Sequence, residues 1–66
     1  MDTWTRADAL KPGDVIFDGQ SHAWLQIIEA RQEGELVLIT SEIRGWGPTS
    51  RSEWSTDYRE RFVLVE

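Results

Sequence analysis

Sixty-six residues without a cysteine exclude a disulfide framework and a thiolate zinc site, and leave room for one domain with one modest core. A net charge of −5 disfavours non-specific binding to phosphate backbones, which runs on lysines and arginines that displace counterions. The single histidine, His22, cannot build an imidazole metal site alone, and 39% apolar with 29% charged residues reads as globular rather than disordered.

The charge is uneven. Residues 1–43 hold eight acids against Arg6, Lys11 and Arg31, whereas residues 44–61 hold Arg44, Arg51, Arg59 and Arg61 against Glu53, Asp57 and Glu60. Only the second stretch would not repel an anion on average. The first ten residues lack the apolar run of a signal peptide, and no segment approaches the roughly 18 apolar residues of a membrane span. The expectation is a cytoplasmic protein with no membrane partner. With no staple available, the core falls to the four tryptophans, Phe17, Tyr58 and Phe62, each able to bury roughly 150–250 Å².

In chain order, Trp4 is expected to pin the N-terminal segment to the domain. Residues 7–10 suit one helical turn capped by Thr5. Leu10-Lys11-Pro12-Gly13-Asp14 is a turn, because proline presets φ for the first corner and glycine tolerates positive φ at the second. A strand over residues 15–17 should follow, with a hairpin tip at residues 18–21. Residues 22–31 read as a long second strand. Its alternation is imperfect, since Trp24, Leu25, Ile27 and Ile28 fall on both faces, and a bulge would reconcile this.

Residues 32–34 are a turn and residues 35–43 a third strand, with Leu36, Leu38 and Thr40 on one face and Val37, Ile39 and Ser41 on the other. Residues 44–52 contain two glycines, a proline and two serines, so they form a loop. Residues 53–56 are a brief fourth strand around Trp54, residues 57–60 a turn, and residues 61–65 the closing strand. Five short strands with frequent turns, and at most one short helical turn, point to an all-β domain. A closed barrel is the expected form, because closure removes exposed sheet edges.

The run Ala9-Leu10-Lys11-Pro12-Gly13-Asp14-Val15-Ile16, followed by a hairpin and a tryptophan-bearing strand, resembles the opening of SH3-like small barrels. It also resembles short reading frames of actinobacterial phages and other mobile elements. The similarity covers about the first 40 residues. It implies a fold that serves peptide, nucleic-acid and assembly roles alike, and it carries over no binding residue.

Catalytic constellations are sparse. Ser21 and His22 are sequence neighbours, and neighbours on a strand point to opposite faces. Glu33 and Glu35 flank a turn glycine, where both are solvated. A chain this short is not expected to enclose the roughly 300 Å³ of a typical ligand site. Asp14 and Asp18 bracket one strand without the alternating acids of a calcium loop. The expectation is a non-enzymatic protein without cofactor or metal.

The informative stretch is Arg44-Gly45-Trp46-Gly47-Pro48-Thr49-Ser50-Arg51-Ser52-Glu53-Trp54. A tryptophan between glycines lacks packing partners from its neighbours, so Trp46 either meets a partner or folds back as a lid. Tryptophan and arginine are the residues most enriched at binding hot spots. Trp54 and Trp24 are expected in the core. Arg59 and Arg61 suit local pairing, and only convergence of Arg44, Arg51 and Arg59 would make an anion site. The leading expectation is an interaction module that binds a protein partner, or a second copy of itself, through Arg44, Trp46, Arg51, Trp54, Tyr58 and Arg59. The alternative is a nucleic-acid-binding module using Arg44, Arg51, Arg59 and the aromatics. A third reading makes the acidic surface of residues 1–43 a decoy for a host protein's nucleic-acid site.

Overall fold

The computed structural model describes residues 3–65 as one antiparallel sheet of six strands. These are β1 (Thr3–Arg6), β2 (Val15–Asp18), β3 (Ala23–Glu33), β4 (Leu36–Ile43), β5 (Ser52–Asp57) and β6 (Arg61–Leu64). Their order across the sheet is β1-β6-β2-β3-β4-β5. The all-β expectation holds, but the five-stranded closed barrel does not. The additional strand is β1, whose four residues pair fully with β6, from Thr3 opposite Leu64 to Arg6 opposite Arg61. Trp4 thus belongs to a strand rather than a tether.

The sheet curls without closing. Trp54 of β5 and Phe62 of β6 meet edge-on with ring centroids 5.8 Å apart. Side chains therefore touch across the mouth, while β1 and β5 remain the two unpaired edges. The helical content also differs from the single turn expected: two short 3-10 turns are present, Ala7–Ala9 and Gly47–Ser50. Thr5 does not cap the first. Arg6 takes the capping position without a side-chain hydrogen bond, and Thr5 Oγ1 donates instead to the Arg6 carbonyl at 3.5 Å.

Period-2 alternation decides the faces. Val37, Ile39 and Ser41 of β4 turn inward and are each 1% exposed. On β3, Leu25 and Ile27 point the same way, opposite Ile43 and Ser41. The register then shifts between Ile27 and Glu29, which leaves Ile28 as an extra residue and absorbs the broken alternation. Ile16, Ile27, Val37 and Ile39 join Ala7 and Leu10 in the core cluster, with Leu25, Ala30, Trp54, Tyr58, Phe62 and Leu64 packed around it. Burying a side chain of the Val or Ile type stabilises by roughly 1.5–3 kcal/mol.

The 3-10 segment closes one end of the curl. Ala7 N donates to Glu60 O at 2.7 Å, Asp8 N to Tyr58 O at 3.3 Å, and Tyr58 N to Glu35 O at 3.0 Å. Trp24 departs from its expected core position. It faces away from the cluster and is 45% exposed, because its strand already turns Leu25 and Ile27 inward. Among the described residues, no helix is long and apolar enough to cross a membrane.

Candidate functional site

The loop between β4 and β5 is locally determined. Gly45 and Gly47 take φ of 88° and 72°, a left-handed conformation that side chains disfavour. Pro48 follows at the start of the 3-10 turn, where its missing N–H costs nothing. Ser50 Oγ accepts from Ile43 N at 2.9 Å and donates to Gly47 O at 2.7 Å, tying the loop to the end of β4. Thr49 Oγ1 donates to Trp46 O at 3.2 Å, and Trp46 N to Ile43 O at 2.9 Å. The backbone is pinned while the Trp46 side chain projects outward, 69% exposed. It is not folded back as a lid.

Arg44 continues the ladder beside this loop, its N–H donating to Trp24 O at 2.8 Å, and its side chain is exposed. Arg51 closes the other side: its Nε and Nη2 donate to one oxygen of Glu42 at 2.9 and 2.6 Å. The Glu42 side chain is only 13% exposed, so Arg51 acts as a brace for the loop.

The remaining candidates lie elsewhere. Trp54 is half-buried on the inner face, and its indole N–H donates to Ser41 Oγ at 2.9 Å. Tyr58 and Arg59 sit in the β5–β6 turn, at the end of β5 that pairs with Leu36. That is the opposite end of β4 from Trp46, and eight residues of strand at about 3.3 Å each separate the two by roughly 25 Å. The Tyr58 ring receives the guanidinium groups of Arg6 and Arg59, at 5.5 and 5.3 Å from its centroid. Arg59 is bonded to Asp57 through Nε at 3.1 Å and Nη2 at 3.2 Å. That side-chain bonding, with the Arg59 backbone N–H, holds the Asp57 carboxyl below the usual carboxylate range, and the carboxylate raises the Arg59 pKa in turn. Arg44, Arg51 and Arg59 do not converge on an anion site.

The unclosed sheet leaves an open groove of about 750 Å³ that runs along β5, from Ser50 and Ser52 to Glu60 beside the 3-10 closure. The groove is open rather than enclosed, and it persists because the sheet edges β1 and β5 are not joined by backbone pairing. Its floor is apolar, with Ile16, Leu25, Ile43, Trp54 and Phe62. Asp18 lies on its rim and accepts from Ser21 Oγ at 2.7 Å and from Gln20 N at 3.2 Å. Ser21 is thereby turned to a carboxylate, and His22, at φ 55°, stands edge-on to Phe17 at 6.4 Å. Among the described residues, no cluster of three or more histidines and acids could hold a metal ion.

Two surface tryptophans escape the sequence reading, Trp4 at 64% and Trp24 at 45% exposed. A signal for Trp24 was available: it shares its parity with His22 and Gln26, both polar, while Leu25 and Ile27 share the other. Scanned against models of protein families, curated proteins and solved structures, the chain gives no match.

Proposed function

We propose that this chain is a non-enzymatic interaction module that binds a protein partner through the loop at residues 44–52, with Trp46 as its anchor. The observation that carries this reading is an indole 69% exposed on a backbone held by its own hydrogen bonds. A pinned loop loses little entropy when a partner covers it, so most of the area buried by the indole goes into affinity. Arg44 orients the partner and Arg51 braces the loop from Glu42. Tyr58 and Arg59 lie at the other end of the sheet and serve at most a second contact.

The opening run's similarity to SH3-like domains and to mobile-element reading frames agrees with a role by contact and does not itself select a protein partner. The setting we assign is the cytoplasm of a host cell. The test compares the parent with Trp46→Ala in affinity capture from the native host, followed by titration of the purified captured protein. Loss of a hot-spot indole costs about 2 kcal/mol or more, so binding should weaken at least tenfold at unchanged melting temperature. Equal affinity for the two proteins would refute the reading. A fall of several degrees in melting would instead make Trp46 a structural residue.

A further inference from the structure

The outer side of β5 has no strand beside it. Its register with β4 runs unbroken from Ser52 opposite Ser41 to Asp57 opposite Leu36, with no bulge and no proline within it. In an antiparallel ladder every second residue turns its N–H and C=O away from its partner, so the six residues of β5 present a row of such groups outward. The other edge, β1, has four residues and ends on Arg6, and no described residue of β1 lines the groove. Ser52, Trp54 and Thr56 line the groove from the inner face of β5. Ser55, which points the other way, lines it too, so the groove takes in the edge of the strand as well as its face. The small hydroxyl side chains on either side of Trp54 leave the room; larger apolar ones would fill the gap toward Phe62.

We infer that β5 takes up an extended segment of a partner protein as an added strand, one whose side chains alternate apolar with lysine or arginine. The alternation follows from the two sides of the edge. Inward, the guest's side chains meet Leu25, Ile43 and Phe62, half-buried on the groove floor, so apolar residues fit at every second position. Outward, they flank the exposed Glu53, beside which a cation is stabilised and an acid repelled. The charged residues lining the groove itself are Asp18 and Glu60, both acids. Neighbouring cations are engaged elsewhere: Arg51 bonds Glu42, Arg59 bonds Asp57, and Arg61 lies over the Trp4 ring. The same acids count against other occupants. A nucleic acid would bring phosphates against Asp18, Glu53 and Glu60, and a second copy of β5 would bring its own Glu53 and Asp57. Trp46 lies outside this groove, so the site stands apart from the loop.

The test uses the full chain and three peptides of about eight residues, long enough to span β5. One alternates lysine with valine, one alternates glutamate with valine, and the third has the lysines and valines of the first rearranged into two blocks. Binding is followed at low salt by calorimetric titration and by amide hydrogen exchange resolved by residue. The alternating lysine–valine peptide should bind about tenfold or more tightly than its block isomer, and should slow exchange at every second amide of residues 52–57. Glu53→Lys should weaken it about fivefold at unchanged circular dichroism, and should bind the glutamate–valine peptide better than the parent does. Trp46→Ala should bind the lysine–valine peptide as the parent does, so failure here is distinct from failure of the loop reading. No binding at millimolar peptide, equal binding of the block isomer, or protection confined to β1 or to the loop would overturn the inference. So would equal affinity of the parent and Glu53→Lys, or an oligothymidine that slows the same amides. Protection of β5 on concentrating the chain alone would give the edge to a second copy and overturn it as well.

Discussion

The hydrogen bond from Trp54 Nε1 to Ser41 Oγ, 2.9 Å long, is the polar tie between β5 and the inner face of β4. Ser41 is 1% exposed, so Ser41→Ala removes an acceptor that water cannot easily replace. Trp54 is half-buried beside an open groove, so its orphaned N–H costs toward the lower end of the about 1–3 kcal/mol of a buried donor. At roughly 0.05–0.15 kcal/mol per residue, a chain of this length has only about 3–10 kcal/mol of stability in total. The substitution should therefore lower the melting temperature by on the order of 10 °C. Trp54→Phe keeps an aromatic ring near Phe62 but removes the donor, leaving the Ser41 hydroxyl as the orphan. In the double variant neither orphan remains. It should be more stable than the sum of the singles predicts by about 1 kcal/mol. Urea titrations followed by far-ultraviolet circular dichroism measure all four proteins without relying on tryptophan emission. Ser41→Ala within about 0.3 kcal/mol of the parent, together with additivity in the double variant, would refute this account of the pair. Trp54 would then no longer be the residue that ties the edge strand to the core.

Two further outcomes follow from the loop and the β5–β6 turn. Gly45→Ala meets no steric obstacle but forces alanine to φ 88°, so a loss of about 1–2 kcal/mol is expected, read by thermal melting. The Asp57 pKa is lowered by Arg59, so below the ordinary carboxylate range the unfolded chain binds the proton first. The Asp57 contribution is thus present above about pH 4 and is lost as the pH falls through the lower folded value. Melting scans between pH 5 and pH 2 should show a smaller drop for Asp57→Asn than for the parent; equal drops would remove the pair from the acid response.

Much of the fold was readable because local pattern encodes it. The alternation of Val37, Ile39 and Ser41 against Leu36, Leu38 and Thr40 placed the β4 faces, and Pro12-Gly13 marked the start of β2. Closure was not readable, since pairing between two distant edges leaves no trace in neighbouring residues. The four residues of β1 were too few to show a period beside a turn. The site divided for a similar reason. Arg44 and Trp46 share one loop and stay together, whereas Tyr58 and Arg59 are carried to the far end by the antiparallel return of β5. No spacing rule distinguishes these cases until the register is known.

Ile28 sits between two regular halves of β3, and its removal would be informative because of what it would leave alone. Ile27 would still point inward, Glu29 outward and Ala30 inward, so no side chain would exchange sides. What would go is the local twist that an unpaired residue imposes, and with it part of the bend that brings the ends of the sheet round toward each other. One aliphatic residue thus sets the shape of the molecule while leaving untouched the assignment of every other side chain to solvent or interior.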